Sequence, residues 1–153
     1  MADTYSQIYI QVVFAVQNRN SLIQKSWEED LYKYITGIVQ IKGQKMLAIN
    51  GTNNHIHVFI GMKPTCCLSD LVREIKKSSN SFINERFTSF RFQWQEGFGA
   101  FSYSHSQLSN VIGYIEKQKE HHRKKTFREE YLEFLKAYEI EFKDDYLFVW
   151  NED

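Results

Sequence analysis

The stretch Asn50 to Ile60, Asn-Gly-Thr-Asn-Asn-His-Ile-His-Val-Phe-Ile, reads as a turn running into a β-strand with two unlike faces. It constrains the fold more than any other part of the chain. Alternate residues share a face of a strand, so His55, His57 and Phe59 point one way and Ile56, Val58 and Ile60 the other. Two imidazoles on one face can hold a single divalent cation, with a polar side chain from elsewhere completing the shell. The same spacing also suits a hydrogen-bonded turn histidine beside a half-buried neighbour. His-x-His alone does not decide between the two.

The segments around this strand fall into a recognisable order. Residues 5–16 are β-branched and aromatic enough for a central strand. Ser26 and Glu29 form a capping box that opens a helix, and Trp27, Leu31, Tyr34, Ile35, Ile38 and Val39 give it one apolar face. Lys42-Gly43 ends it, and residues 45–50 make a second strand before the histidine strand, which Gly61 and Pro64 stop. A helix over 68–86 follows, with Leu68, Leu71, Val72, Ile75, Phe82 and Ile83 inside and Arg73, Lys76 and Lys77 outside. Phe90 to Trp94 is strand or loop, and 97–103 is a strand whose glycines relax packing or mark a bulge. Strand, helix, strand, strand, helix, strand is the split βαβ pattern. It is a ferredoxin-like α+β fold, an antiparallel sheet with two helices on one face.

Two more helices follow that core. The first, over 107–121, carries an apolar stripe of Leu108, Val111, Ile112 and Ile115, and is the natural cover for the open sheet face of this chain or of a partner. Tyr114, Gln118 and His121 share one flank of it. The second runs from a capping box at Thr126 and Glu129 to about 139, with Phe127, Tyr131, Phe134, Leu135 and Tyr138 as apolar positions. Residues 146–150 read as a short edge strand or a docking segment.

The 153 residues suffice for a core, and one proline with seven glycines leaves no flexible linker, so 1–153 reads as one domain. No run is apolar enough to cross a membrane, the N-terminus has no signal-peptide pattern, and Cys66 and Cys67 stand adjacent and alone. A reduced, cytoplasmic protein is expected. The formal charge of zero hides a split, since 17 of 19 Lys and Arg precede residue 129 against 10 of 19 Asp and Glu. The densest basic run is Lys117, Lys119, Arg123, Lys124, Lys125 and Arg128. It is either a solvated face or a phosphate-binding footprint, and the acidic tail argues against indiscriminate binding. Twelve Phe and nine Tyr exceed what one small core readily absorbs, and aromatics are enriched in interface cores, so a dimer is expected.

The motifs together resemble the single-domain tyrosine (Y1) transposases of the IS200/IS605 group, within the HUH endonuclease superfamily. The His-hydrophobe-His strand is Asn54-His55-Ile56-His57-Val58, and the helix motif of Tyr, three residues and Gln is Tyr114-Ile-Glu-Lys-Gln118. Trp94 to Ser102 and His121 to Phe127 match the segments flanking that helix, and the likeness runs from about residue 5 to 138. The resemblance implies that His55, His57 and Gln118 bind Mg²⁺ or Mn²⁺. It implies that Tyr114 attacks a phosphate of single-stranded DNA, giving a 5′-phosphotyrosine link and a free 3′-hydroxyl. The implied substrates are hairpins at element ends. The implied assembly is a homodimer whose active sites are shared between subunits. Arg123, Lys124 and Lys125 are expected on the DNA backbone.

Two other classes compete with this one. A non-catalytic, hairpin-binding dimer of the same fold would have no use for a tyrosine one turn from a ligand. Hydrolysis by an activated water needs a carboxylate near the ion. Glu116 lies on the wrong side of its helix, and no acidic residue sits beside the histidine pair.

Overall fold

A computed structural model describes residues 2–152. Four strands, β1 (Tyr9–Ala15), β2 (Lys45–Gly51), β3 (His55–Gly61) and β4 (Gly99–Tyr103), form one antiparallel sheet in the order β2-β3-β1-β4. This is the ferredoxin-like arrangement expected of the split βαβ order. Helices α1 (Lys25–Ile41) and α2 (Leu68–Ile83) cover one face. Val12, Phe14 and Val16 of the β1 segment and Ile56, Val58 and Ile60 of β3 pack there against Trp27, Leu31, Ile35, Val72 and Ile75. The period-two reading of β3 therefore holds along its whole length.

The opposite face carries the histidines. Pairing sets Ala15 opposite His55, Val13 opposite His57 and Gln11 opposite Phe59, so a buried glutamine from β1 joins the two imidazoles. Three further helices cover this face: α3 (Leu108–Glu116), α4 (Gln118–His121) and α5 (Phe127–Ala137). Phe59 packs with Val111 and Ile115 of α3, while Val13, Ala15 and Phe101 pack with Phe127, Tyr131 and Leu135 of α5. The Tyr114 helix thus lies on the sheet of its own chain.

Several local expectations need correction. Helix α1 starts one residue before Ser26, with Gln24 at its cap and no side-chain capping bond, so the Ser26–Glu29 box does not form. The 107–121 helix is broken at Lys117, whose backbone (φ −98°, ψ 18°) leaves the helical region. Neither Gly nor Pro marks the break. Asn50 stabilises it instead, donating from Nδ2 to the carbonyls of Ile115 and Glu116 at 3.0 and 3.1 Å and so satisfying groups that a helix end leaves open. Helix α2 stops at Ile83 and passes into one wider π turn, Asn84–Thr88. Lys76 does not face solvent freely: its Nζ donates to the carbonyls of Gln95 and Gly97 and lies over the Phe14 ring.

Phe90 to Trp94 is irregular, touching the sheet through one bridge between Trp94 and Val16. The sheet's bulge is in β2, between Met46 and Ala48, and not at the glycines of β4. Residues 147–150 dock and form no strand: Phe148 is buried beside Phe127 and Tyr131, and Val149 exchanges two hydrogen bonds with the Gln95 amide. The Thr126–Glu129 box is present as read.

Two glycines mark opposite extremes of tolerance. A Cβ on Gly51 would lie 2.1 Å from the His55 carbonyl oxygen and 2.8 Å from the Ile56 Cα, both backbone atoms of the turn that aims the histidine strand. A Cβ on Gly37, inside α1, would meet nothing within 4 Å. Gly51→Ala should therefore cost at least about 1–3 kcal/mol, while Gly37→Ala should add about 1 kcal/mol. Chemical denaturation of the two variants measures both signs.

Candidate active site

The sequence-expected residues meet around a residue that the sequence did not single out. Glu130, in the first turn of α5, is 2% exposed. Its Oε1 lies 3.0 Å from His57 Nε2, 3.3 Å from His55 Nε2 and 3.1 Å from His122 Nε2. Its Oε2 accepts from Gln118 Nε2 at 3.0 Å and from the Tyr114 hydroxyl. The expectation that no acidic residue sits beside the histidine pair is thus wrong in three dimensions. Sequence distance hid it: 73 residues separate Glu130 from His57.

Hydrogen bonding on the outer side of each ring fixes what the inner side offers. Gln11 Nε2 donates to the Tyr103 hydroxyl at 2.8 Å, which turns its Oε1 toward His57 Nδ1 at 2.6 Å. That oxygen can only accept, so His57 carries its proton on Nδ1. For His55, the Asn54 Nδ2 donates to the Trp150 carbonyl, leaving Asn54 Oδ1 to accept from His55 Nδ1 at 2.8 Å. The Nε2 of His55 is then a lone pair, and burial agrees by pushing the imidazole down to about 4, so it is neutral at pH 7. Gln118, donating through Nε2, presents Oε1 to His55 Nε2 at 3.2 Å.

Lone pairs from His55, Gln118 and the Glu130 carboxylate therefore converge, with His57 Nε2 on the same oxygen. Burial alone would raise the Glu130 carboxyl, but His57, His122 and His55 outweigh it and hold the group ionised, well below the usual carboxylate range. Acceptors facing acceptors in a dry site lack a positive charge. Mixed imidazole, carboxylate and amide oxygen donors suit a divalent cation, and His55, His122 and Glu130 bring ligand atoms within 4.8 Å of one another. The donor set fits a divalent metal.

Tyr114 stands over the same carboxylate. Its ring lies edge-on to His57 (centroids 6.1 Å apart) and stacks on His121 at 4.5 Å. Burial, then the Glu130 charge, push its phenol well above the ordinary tyrosine value, so it carries its proton. Tyr114 lies on α3 and Gln118 and His121 on α4, parted by the break at Lys117, yet Tyr114 still meets Gln118 on one carboxylate oxygen and His121 by stacking. A cleft of about 490 Å³, lined by Lys25, Asn54, Lys119, His122, Arg123 and Phe127 among others, opens beside the imidazoles. Of the expected DNA contacts, Arg123 and Lys124 are exposed in the turn after α4, and Lys125 is paired with Glu133 at 2.6 Å.

A sheet of this order, with a buried His-x-His pair facing a helix tyrosine and glutamine, defines a nuclease of the HUH class. The chain belongs to the family described as Transposase IS200 like, whose pattern matches residues 4–118. Its fold resembles that of a Deinococcus radiodurans R1 protein described as a transposase (TM-score 0.62, 16% identity, 77% of this chain and 95% of that one). It also resembles a REP-associated tyrosine transposase solved with a REP hairpin (TM-score 0.60, 17% identity, 80% and 73%). No curated protein matches the sequence. His122 and Glu130 lie beyond the family-matched segment. A sequence signal for Glu130 did exist: positions 127, 130, 131, 134 and 135 form one helix face, so Glu130 interrupts an apolar stripe.

Two measurements test this account. Mn²⁺ binding followed by calorimetry should weaken by roughly tenfold or more in His57→Ala and in Glu130→Gln, with the circular dichroism of each unchanged. In chelator, stability should fall as pH drops from about 6.5 toward about 4, because the unfolded imidazole takes up a proton that buried His55 refuses. Denaturation across that window should show a shallower slope in His55→Gln.

Proposed function

We propose that this chain is a metal-dependent transposase that cuts and rejoins single-stranded DNA through Tyr114. One observation supports the reading most: one buried carboxylate takes the Tyr114 hydroxyl and the Gln118 amide on one oxygen and the imidazoles of His55 and His57 on the other. His55, His57 and Gln118 would hold Mg²⁺ or Mn²⁺ together with Glu130, and His122 stands close enough to join them. When bound, the cation supplies charge that polarises a scissile phosphate. The chain's own residues do the rest. Tyr114 Oη forms a bond to phosphorus while its proton passes to Glu130 Oε2, which it already touches. The P–O3′ bond breaks, the 3′ oxygen leaves and takes up a proton, and the 5′-phosphate stays on the tyrosine. A phenolate is a tolerable leaving group, so a 3′-hydroxyl can reverse the step without external energy.

The substrates are hairpins or single strands, supported by the basic surplus before residue 129 and by likeness to a transposase solved with a hairpin. Its place of action is the cytoplasm, on chromosomal or element DNA; among the described residues no helix is long and apolar enough to cross a membrane. The assembly is a two-fold dimer, supported by exposed Phe90, Ile41 and Phe142.

Glu130 favours one second reading, hydrolysis by an activated water, which lacked a carboxylate in the sequence. Its Oε2 already accepts from Tyr114 and Gln118, however, which favours the phenol as the group it deprotonates. The two readings separate in one experiment. With Mn²⁺ and single-stranded DNA from the flanks of its own gene, the parent should form a covalent adduct stable to denaturing gels. It should be attached at the 5′ side of the break. Tyr114→Phe keeps the packed ring and should bind DNA yet form no adduct; Tyr131→Phe, a core control, should react like the parent. Gln118→Ala should cut adduct formation by roughly tenfold or more, with hairpin binding near the parent's. Strand breaks without adduct would establish hydrolysis, and hairpin binding without breaks would establish the non-catalytic binder.

A further inference from the structure

A separate cavity of about 380 Å³ opens between α3 and α5 onto the Tyr114 hydroxyl and Glu130. Tyr103 and Gln11 of the sheet, Asn110 of α3, Phe134 of α5 and Tyr138 just after it complete much of its wall. We infer that this cavity receives one unpaired base of a nucleotide adjoining the phosphate that Tyr114 attacks. The inference rests on the Tyr114 reading above and names what the site takes beside the reacting phosphate.

Position argues first. A phosphate within bonding reach of Tyr114 Oη has its neighbouring bases about one nucleotide away, and Tyr114 itself is part of the wall. Charge argues second. No lysine or arginine lines this cavity, while Glu130 and Glu133 do, so beyond the Tyr114 hydroxyl it offers no cation to hold a further phosphate. The two other openings around the site carry more basic than acidic side chains: Arg19, Lys25, Lys119 and Arg123 against Glu28 and Glu152 in one, and Arg123, Lys124 and Lys125 against Glu120 and Glu133 in the other. The sugar-phosphate chain is drawn to those openings, which leaves the uncharged base for the cavity between the helices.

Chemistry argues third. Tyr103, Phe134 and Tyr138 bring three aromatic rings to the wall; Phe134 is stacked on Phe101 on one side, and Tyr103 and Tyr138 are tilted at 79° and not stacked on one another. At the exposed mouth, the Asn110 side chain makes no hydrogen bond among the described residues, and the Gln107 amide uses only its oxygen there, as acceptor from Ser104. Ring walls with unengaged amides at the rim are the means by which splayed-out single-stranded bases are stacked and read at their edges. The volume is that of a small-molecule site.

The test uses full-length protein with Mn²⁺ and a single-stranded oligonucleotide whose cleavage position the parent has mapped. In Tyr114→Phe, which binds without reacting, 2-aminopurine placed at one of the two positions flanking the scissile phosphate should lose fluorescence severalfold on binding. Adding Tyr138→Ala should restore it; because the Tyr138 hydroxyl bonds the Ser102 carbonyl and its ring meets Phe101 and Tyr103, the circular dichroism of this variant is first matched to the parent's. An abasic site at that position should slow adduct formation by the parent roughly tenfold to a hundredfold. Asn110→Ala should alter the ranking of the four bases there. Unchanged fluorescence at both positions, with abasic strands reacting at the parent rate, would overturn the base site while leaving Tyr114 as nucleophile. Monomerisation of a dimer by Tyr138→Ala, with the fluorescence silent, would overturn it in favour of a second copy in the cavity. Absence of any adduct from the parent would overturn the Tyr114 reading, and this inference with it.

Discussion

A buried carboxylate is tolerable only when its surroundings compensate the charge, and on this sheet face most of the surroundings are arranged to do so. Glu130 draws hydrogen-bond partners from β3, α3, α4 and the turn beyond α4, elements far apart in the sequence. Its position in the first turn of α5 places the negative group near the positive end of that helix. The same helix end is closed by Glu152, which accepts from the backbone N–H groups of Phe127 and Arg128. Removing the carboxylate would leave four groups aimed at nothing.

The two sides of the sheet divide the work. On one side, α1 and α2 cover aliphatic and aromatic side chains in a core with few polar interruptions, Ser79 among them. On the other, Gln11, His55, His57, Gln118 and Glu130 are all buried polar groups, and each has partners. Such a network rigidifies when complete and is costly when any member is lost. The apolar side can therefore carry stability while the polar side is shaped by chemistry. Outer contacts such as Gln11 to His57 and Asn54 to His55 set which ring nitrogen faces inward.

How much of this could be read in advance varies residue by residue. The faces of the histidine strand follow from a period of two, and they hold; the helix flank expected for Tyr114 and Gln118 is interrupted at Lys117, yet both side chains reach Glu130. The fold class follows from the order of the segments. Glu130 escaped because a glutamate three places after Phe127 looks like any helix-surface acid until the stripe through 127, 131, 134 and 135 is drawn around it. Gln11 escaped for the same reason in a strand. The helix break at Lys117 had no local signal, because its cause is Asn50, 67 positions earlier in the chain. The Ser26 box failed because the helix begins earlier, from Gln24, and the cap geometry never arises.

The orientation of His57 carries a consequence for how a cation arrives. His57 Nδ1 meets Gln11 Oε1 at 2.6 Å and its Nε2 meets Glu130 Oε1 at 3.0 Å, so the ring is pinned at both nitrogens. A divalent ion would be met by a nitrogen already aimed, and the ring would give up little rotational freedom in holding it.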